Sequence, residues 1–339
     1  MCCGCEMEAE KDEQVSRAPP EPAKGAALGW RSDHMYSYWW NLWRLYVRRL
    51  FMAKKLDVSR FISDVIERRD PFNGMFQVYR GVVDYDHSLT PSILREDGPA
   101  GQEHSLIRMV MAAYPSEFIS DNTALDVLVR MQHFSIPTRL LDVTLNPLVA
   151  LYFATADYKD PHRKDGAVVI CNVRREYIKY FDSDTVSCLS NYAKLDSEMK
   201  KDIELEAVMS GGDLCAFNES ASTKRLLHLI RQEKHGFDPE INPDHIDRVY
   251  LVKPKMNNNR ILAQSGAFFI FGSRKTISEP NDVVGIFDRV VIPRAAKEEI
   301  QSQLSVINVN KKSLFPDIES SAEYFKEMAN NDEWLELLS

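Results

Sequence analysis

Six residues of types that do chemistry crowd into a short stretch: Gln132, His133, Thr138, Arg139, Asp142 and Thr144, directly ahead of the apolar run 148–156. Buried polar groups need partners, so a cluster of this kind before a buried helix has the composition of a pocket wall. Histidine as a residue type can act as acid or base near neutral pH, so His133 is a candidate for proton transfer. Arg139 and, upstream, Arg80 carry planar, permanently charged guanidinium groups that match phosphate or carboxylate. Gly81 allows a backbone to come close to a ligand. Each residue also has a structural reading that stays open. Arg80 can pair with Glu103, and Asp142 with Arg139 or Arg80. Gln132 and His133 can serve as a capping pair. Thr138 and Thr144 can satisfy backbone groups at strand ends, and Gln264 with Gly266 can mark a bulge.

Other chemistries are less well served. The chain contains no GxGxxG, no P-loop, no HExxH and no GxSxG. Glu103, His133 and Asp142 could converge as a metal-dependent nuclease centre, although their spacing does not demand it. No metal site is expected, because no CxxC pair meets a second one.

The chain has 339 residues, 44% of them hydrophobic and 27% charged, which provides for a real core. A net charge of −8 argues against a general nucleic-acid surface. Six cysteines in a chain this long do not form a disulfide framework and fit a reducing cytosol. No secretory leader and no run of about 18 apolar residues is visible. Cys2, Cys3 and Cys5 are either acylation candidates or free thiols in a tail. The localisation expected is cytoplasmic, with membrane association as a further option.

The elements that would position these residues follow from periodicity. Residues 1–30 read as a disordered tail. Residues 31–57 hold a Trp-rich basic amphipathic helix, part of a helical period running from Tyr36 to Arg69. It fits a protein partner, a membrane surface, or the core of its own domain. Residues 75–83 form a strand carrying Arg80. Residues 103–114 and 122–132 form helices. Asn146-Pro147 opens a helix over 148–156, an Asn cap followed by Pro at the first position. Strands are expected at 166–173, 245–252, 260–271 and 290–293. Helices are expected at 222–232, 295–304 and 320–328, and a long loop or insertion at 174–220. Without a regular βαβ alternation the class is α+β, a single mixed or antiparallel sheet with flanking helices.

VYRG at 78–81, LTPSILRE at 89–96, MQHFSIPTRLLDVTLNPLVALYFA at 131–154, RILAQSGAFFIF at 260–271 and SLFPDIESSAEYF at 313–325 together resemble the FRG domain family, over about 58–327, leaving 328–339 as a tail. Phe134-Ser135 departs from the family, which carries a small or aromatic residue and then Gly there. The resemblance implies an intracellular domain of defence or toxin type. The pattern is also similar to ADP-ribosyltransferase folds. That likeness implies Arg80 holding the phosphates or ribose of NAD, Thr144 bracing the nicotinamide pocket, and Gln264 standing where those folds place a Glu. A neutral Gln264 cannot offset a cationic transition state, so the carboxylate comes from Asp142 or Glu103, or NAD is bound without transfer. The catalytic candidates are Arg80, His133, Asp142, Thr144 and Gln264. The substrate-contacting candidates are Tyr79, Gly81, Glu103, Gln132, Thr138 and Arg139. NAD or another nucleotide is the implied substrate, no cofactor is assigned, and a non-catalytic sensing or interaction module is the alternative.

Overall fold

A computed structural model describes residues 56–68 and 74–316. The chain divides after Lys54, and the first unit lies outside the described residues, as does the expected helix at 320–328. Of the Trp-rich helical period, the described part is α1 (Val58–Glu67), capped by Asp57, whose carboxylate accepts from the Arg60 N–H at 2.8 Å.

The order continues β1 (Phe76–Val82), α2 (Glu103–Ala113), α3 (Ala124–His133), β2 (Leu140–Thr144), α4 (Pro147–Ala154), β3 (Gly166–Val173) and β4 (Ile178–Tyr180). Then come α5 (Asp184–Tyr192), α6 (Ser197–Met209), α7 (Leu214–Glu219), α8 (Ala221–Glu233), α9 (Pro243–Ile246), β5 (Val249–Lys253), α10 (Asn259–Ala263) and β6 (Gly266–Phe271). The last described elements are β7 (Asn281–Asp282), β8 (Gly285–Ile292), α11 (Lys297–Val306) and α12 (Lys311–Leu314). The eight strands form one mixed sheet in the order β4-β5-β6-β2-β1-β3-β8-β7. Only β4 and β5 run parallel; the remaining pairs are antiparallel. The class is α+β.

Strand alternation divides the core between the two faces. Val78, Val82, Val169 and Cys171 join one cluster with Leu125, Leu128 and Met131 of α3. Tyr79, Val168 and Ile170 join the other, with Ala150, Leu151 and Ala154 of α4, Phe61 of α1, and Ile300 and Leu304 of α11. A third cluster, including Tyr192, Ile203, Phe217, Leu226 and Ile230, belongs to the helices after β4.

Three expectations are corrected. The stretch 174–220 is not a long loop. Ser183, Asp196, Asp213 and Ser220 each cap a helix with a side-chain oxygen, and the third cluster holds these helices together. Residues 260–271 are not one strand. Asn258 caps α10, and Ser265 turns the chain with φ 48° before β6 begins. The stretch 245–252 begins as the end of α9, because Asn242 and Pro243 start a helical turn first. Elsewhere boundaries move by a few residues, most for β8, which starts at Gly285 rather than 290.

Candidate functional site

β2 carries the site because its LLDVT sequence is buried at every position but one: Asp142 is exposed between buried Leu141 and Val143. Thr123 and Asp126 form a capping box that fixes the start of α3 and so delivers Gln132 and His133 at its far end. The chain then turns through Ser135 at φ 59°, the left-handed region that a glycine adopts without strain. This is where the FRG resemblance expects Gly, and the serine meets the same backbone requirement.

Gln132, Thr138 and Asp142 form a directional chain. The Leu140 N–H donates to Thr138 Oγ1 at 3.1 Å, and Thr138 donates to Gln132 Oε1 at 2.6 Å. Gln132 Nε2 then donates to Asp142 Oδ2 at 2.6 Å. The other Asp142 oxygen makes no protein hydrogen bond among the described residues. The cleft into which Asp142 faces measures about 250 Å³ and is lined by Gln132, His133, Val143, Arg260, Gln264 and Phe268, among others. A second cleft of about 280 Å³ shares His133, Asn258 and Arg260 with it and reaches Pro316. Arg260 donates to the His133 carbonyl at 3.0 Å and lies 4.7 Å from the centre of the Phe315 ring. Phe134, half exposed, stacks edge-on against His133.

Arg80 reaches the same neighbourhood from β1. One guanidinium nitrogen donates to the backbone carbonyl of Asp142. Its Nε is buried without a hydrogen-bond partner, and the side chain makes no ion pair among the described residues. Burial holds the guanidinium below its ordinary pKa; the Asp142 charge opposes this shift and the Arg95 charge adds to it.

The remaining candidates are placed differently. Tyr79 and Gly81 sit on the opposite face of β1 from Arg80, against α4. A Cβ on Gly81 would lie 1.9 Å from the Ala150 carbonyl oxygen and 2.6 Å from the Ala154 nitrogen, so this glycine admits a helix rather than a ligand. Tyr79 donates to Gln77 at 2.6 Å. Arg139 and Glu103, each 2% exposed, pair with one another, and Lys200 donates to the same carboxylate at 2.6 Å. Arg139 also donates to the carbonyls of Phe271 and Gly272 at 2.8 and 2.9 Å, and lies 5.0 Å from the centre of the Tyr192 ring. Their donors and acceptors are spent inside the fold. The expected pairings of Arg80 with Glu103 and of Arg139 with Asp142 do not form. Glu103 is therefore not part of a metal cluster with His133 and Asp142, and no group of three metal-ligating side chains occurs among the described residues.

Thr144 donates to the Gln264 carbonyl at 2.6 Å and accepts the Asn146 N–H at 3.0 Å, bracing the start of α4. Gln264 closes α10 instead of lying on a strand, and its amide donates to the Leu314 carbonyl at 3.0 Å. Two contributors escaped the sequence reading. Asn258 could have been found from its capping position before α10. Lys200, in a stretch read as loop, left no signal.

No helix among the described residues is long and apolar enough to cross a membrane. No curated protein and no solved structure matches the chain. Residues 76–163, from the start of β1 to just before β3, match the family model for the FRG domain. That stretch contains Arg80, the Gln132–Asp142 chain and α4, while Asn258, Arg260 and Gln264 lie beyond it. Over this stretch the chain is similar to the FRG domain family.

Proposed function

We propose that the cleft beside Asp142 binds a nucleotide-class ligand and that the protein acts on it in the manner of an NAD-consuming enzyme. The observation that supports this reading is Arg80: a largely desolvated guanidinium with an unpartnered Nε and no carboxylate of its own. Such a group is suited to an incoming pyrophosphate. Gln264 is neutral and tied to Leu314, so the anion in this scheme is Asp142. When the C1′–N bond to nicotinamide breaks, the base leaves with the bonding pair and positive charge develops on the ribose. The free Asp142 oxygen opposes that charge until water or an acceptor hydroxyl adds to C1′ and gives up its proton. In this scheme His133, at the cleft wall, takes that proton. Unchecked, such an activity would make the protein a toxin or defence effector.

The test is expression of wild type, Arg80→Ala and Asp142→Asn in bacteria, with growth, cellular NAD and label transfer from tagged NAD followed together. Loss of NAD or gain of label with wild type alone supports the reading; inert wild-type protein refutes it. A second reading, a sensor that binds without reacting, is favoured by Thr144 and Gln264, both of which are committed to the fold. It predicts ligand-dependent stabilisation with no NAD loss.

A further inference from the structure

α6 carries more apolar surface than the fold uses. On its inner side Met199, Ile203 and Ala207, spaced four residues apart, face the third cluster. One such stripe is what a surface helix needs to stay seated. The outer side holds a second stripe. Leu205, Val208 and Met209 stand at i, i+3 and i+4 and so share one face, where they are 58%, 78% and 71% exposed. Leu214, which opens α7, is exposed just beyond. A position that served only to sustain the helix would do better with Ala, Lys or Glu, and Val in particular weakens a helix. The helix presenting this stripe is firmly held. Asp196 caps its start, α8 packs against it, and Lys200 donates from it to buried Glu103 at 2.6 Å.

The rim of the outer stripe is acidic. Asp202, Glu204 and Glu206 each lie three or four residues from one of its members. Asp202 accepts from the Ser222 hydroxyl at 3.1 Å and Glu204 from the Tyr192 hydroxyl at 2.8 Å, both neutral donors. None of the three makes an ion pair among the described residues. With Glu198 the helix carries four carboxylates against two lysines, and Lys200 is already paired with Glu103, which leaves Lys201. Such a rim repels an anionic lipid surface. It suits a second helix, whose side chains interleave with the Leu205–Val208–Met209 ridge and whose lysines or arginines run along apolar surface to reach the carboxylates. We infer that the outer face of α6 is a docking surface for a basic amphipathic helix of a partner protein, its apolar residues over Leu205, Val208 and Met209 and its cations over Asp202, Glu204 and Glu206. The inference does not depend on the ligand of the Asp142 cleft. The footprint is about two turns of helix, so the contact belongs to the weak, transient class.

The test uses the full chain and two labelled synthetic helices read by fluorescence anisotropy, one of leucine and lysine, the other of leucine and glutamate with the same apolar stripe. The leucine–lysine helix is expected to bind wild type in the micromolar range, more weakly as salt rises, and the leucine–glutamate helix not to bind. Three variants locate the contact. Leu205→Ala combined with Val208→Ala and Met209→Ala is expected to bind about tenfold or more weakly, yet to melt no lower than wild type, because alanine favours the helix and the stripe does not support the fold. Glu204→Gln with Glu206→Gln is expected to bind weakly as well. Asp238→Asn with Glu240→Gln removes the same charge from exposed carboxylates between α8 and α9 and is expected to bind as wild type does. Absence of binding, equal binding of the acidic helix, unchanged binding by the alanine variant, or equal weakening by the two charge variants overturns the inference. So does an alanine variant that melts well below wild type, which would give the stripe to the fold. A wild-type dimer in light scattering that the alanine variant dissociates assigns the face to a second copy and overturns it too.

Discussion

Replacing Glu103 by Gln separates a structural role from a ligand role. Glu103 sits 2% exposed beneath two cations, Arg139 and Lys200, with Arg139 Nε at 2.9 Å from one carboxylate oxygen and Lys200 at 2.6 Å from the other. A glutamine keeps the shape but removes the negative charge and turns an NH2 toward donors. Breaking a buried ion pair from one side costs about 3–5 kcal/mol, because the remaining charge has no counterion and no water. For a domain of this size each kcal/mol moves the melting temperature by about 2 °C, so Glu103→Gln is expected to melt about 6–10 °C below wild type. The pH dependence adds a second check. Burial pushes the Glu103 carboxyl up, but Arg139 and Lys200 together outweigh it and hold the carboxyl below its ordinary value. A depressed folded-state pKa contributes stability that is present above the unfolded value and is lost as pH falls through the folded one. The gap between wild type and Glu103→Gln should therefore be full at neutral pH and shrink below about pH 4. Thermal melts by circular dichroism from pH 7 down to pH 3 measure both. A Glu103→Gln protein that melts within about 2 °C of wild type at pH 7 refutes the argument and returns Glu103 to the list of ligand-contacting candidates.

Gly81→Ala places a methyl group on the backbone of α4, which cannot step aside, and should cost about 3 kcal/mol or more, read from denaturant unfolding; normal stability would mean that α4 is not seated as described. Thr144→Val removes the hydroxyl that satisfies the Asn146 N–H and bonds the Gln264 carbonyl, and should cost about 1–3 kcal/mol in the same assay. Ser135→Val should lower stability by about 1–2 kcal/mol, since a β-branched residue resists φ 59°, while Ser135→Gly should be neutral or stabilising; the opposite order would discount the turn. Asn146→Ala should cost about 1 kcal/mol through loss of the cap on the Leu148 N–H, again from unfolding curves.

How far sequence could take the reading depended on how local each signal was. The GAVVICNV run and the Asn146-Pro147 start announce β3 and α4 by themselves, and both elements form there. α6 did not announce itself: SEMKKDIELEAVM is charged around most of its circumference and fully buries only Ile203. Its stability comes from caps and neighbours, which periodicity does not register. The strand expected at 260–271 failed because RILA and GAFFIF are both apolar, and nothing in composition marks the positive φ at Ser265 between them. In the site, Gln132, Thr138 and Asp142 could be read as one cluster because they lie close in sequence, but the bond from Gln132 to Asp142 was not among the pairings expected. The partner of Arg139 could not be read, since it depends on Lys200 and Glu103 arriving from distant segments. Gly81 was misread for the same reason: a close approach was correctly expected, but the sequence does not say whether a ligand or a helix makes it.

The contact at Gly81 also bears on how the cleft could respond to an occupant. Where α4 crosses β1, main chain rests on main chain with no side-chain layer between them to compress or change rotamer. The strand β1, from which Arg80 holds the Asp142 carbonyl of β2, is therefore backed by something close to a rigid plate. Adjustment to a ligand falls to the opposite wall, where α10 and the residues leading out of α3 meet the cleft through longer side chains such as Arg260 and Gln264. The site is built with one fixed jaw and one compliant jaw: Asp142 is mounted on the first and Arg260 on the second.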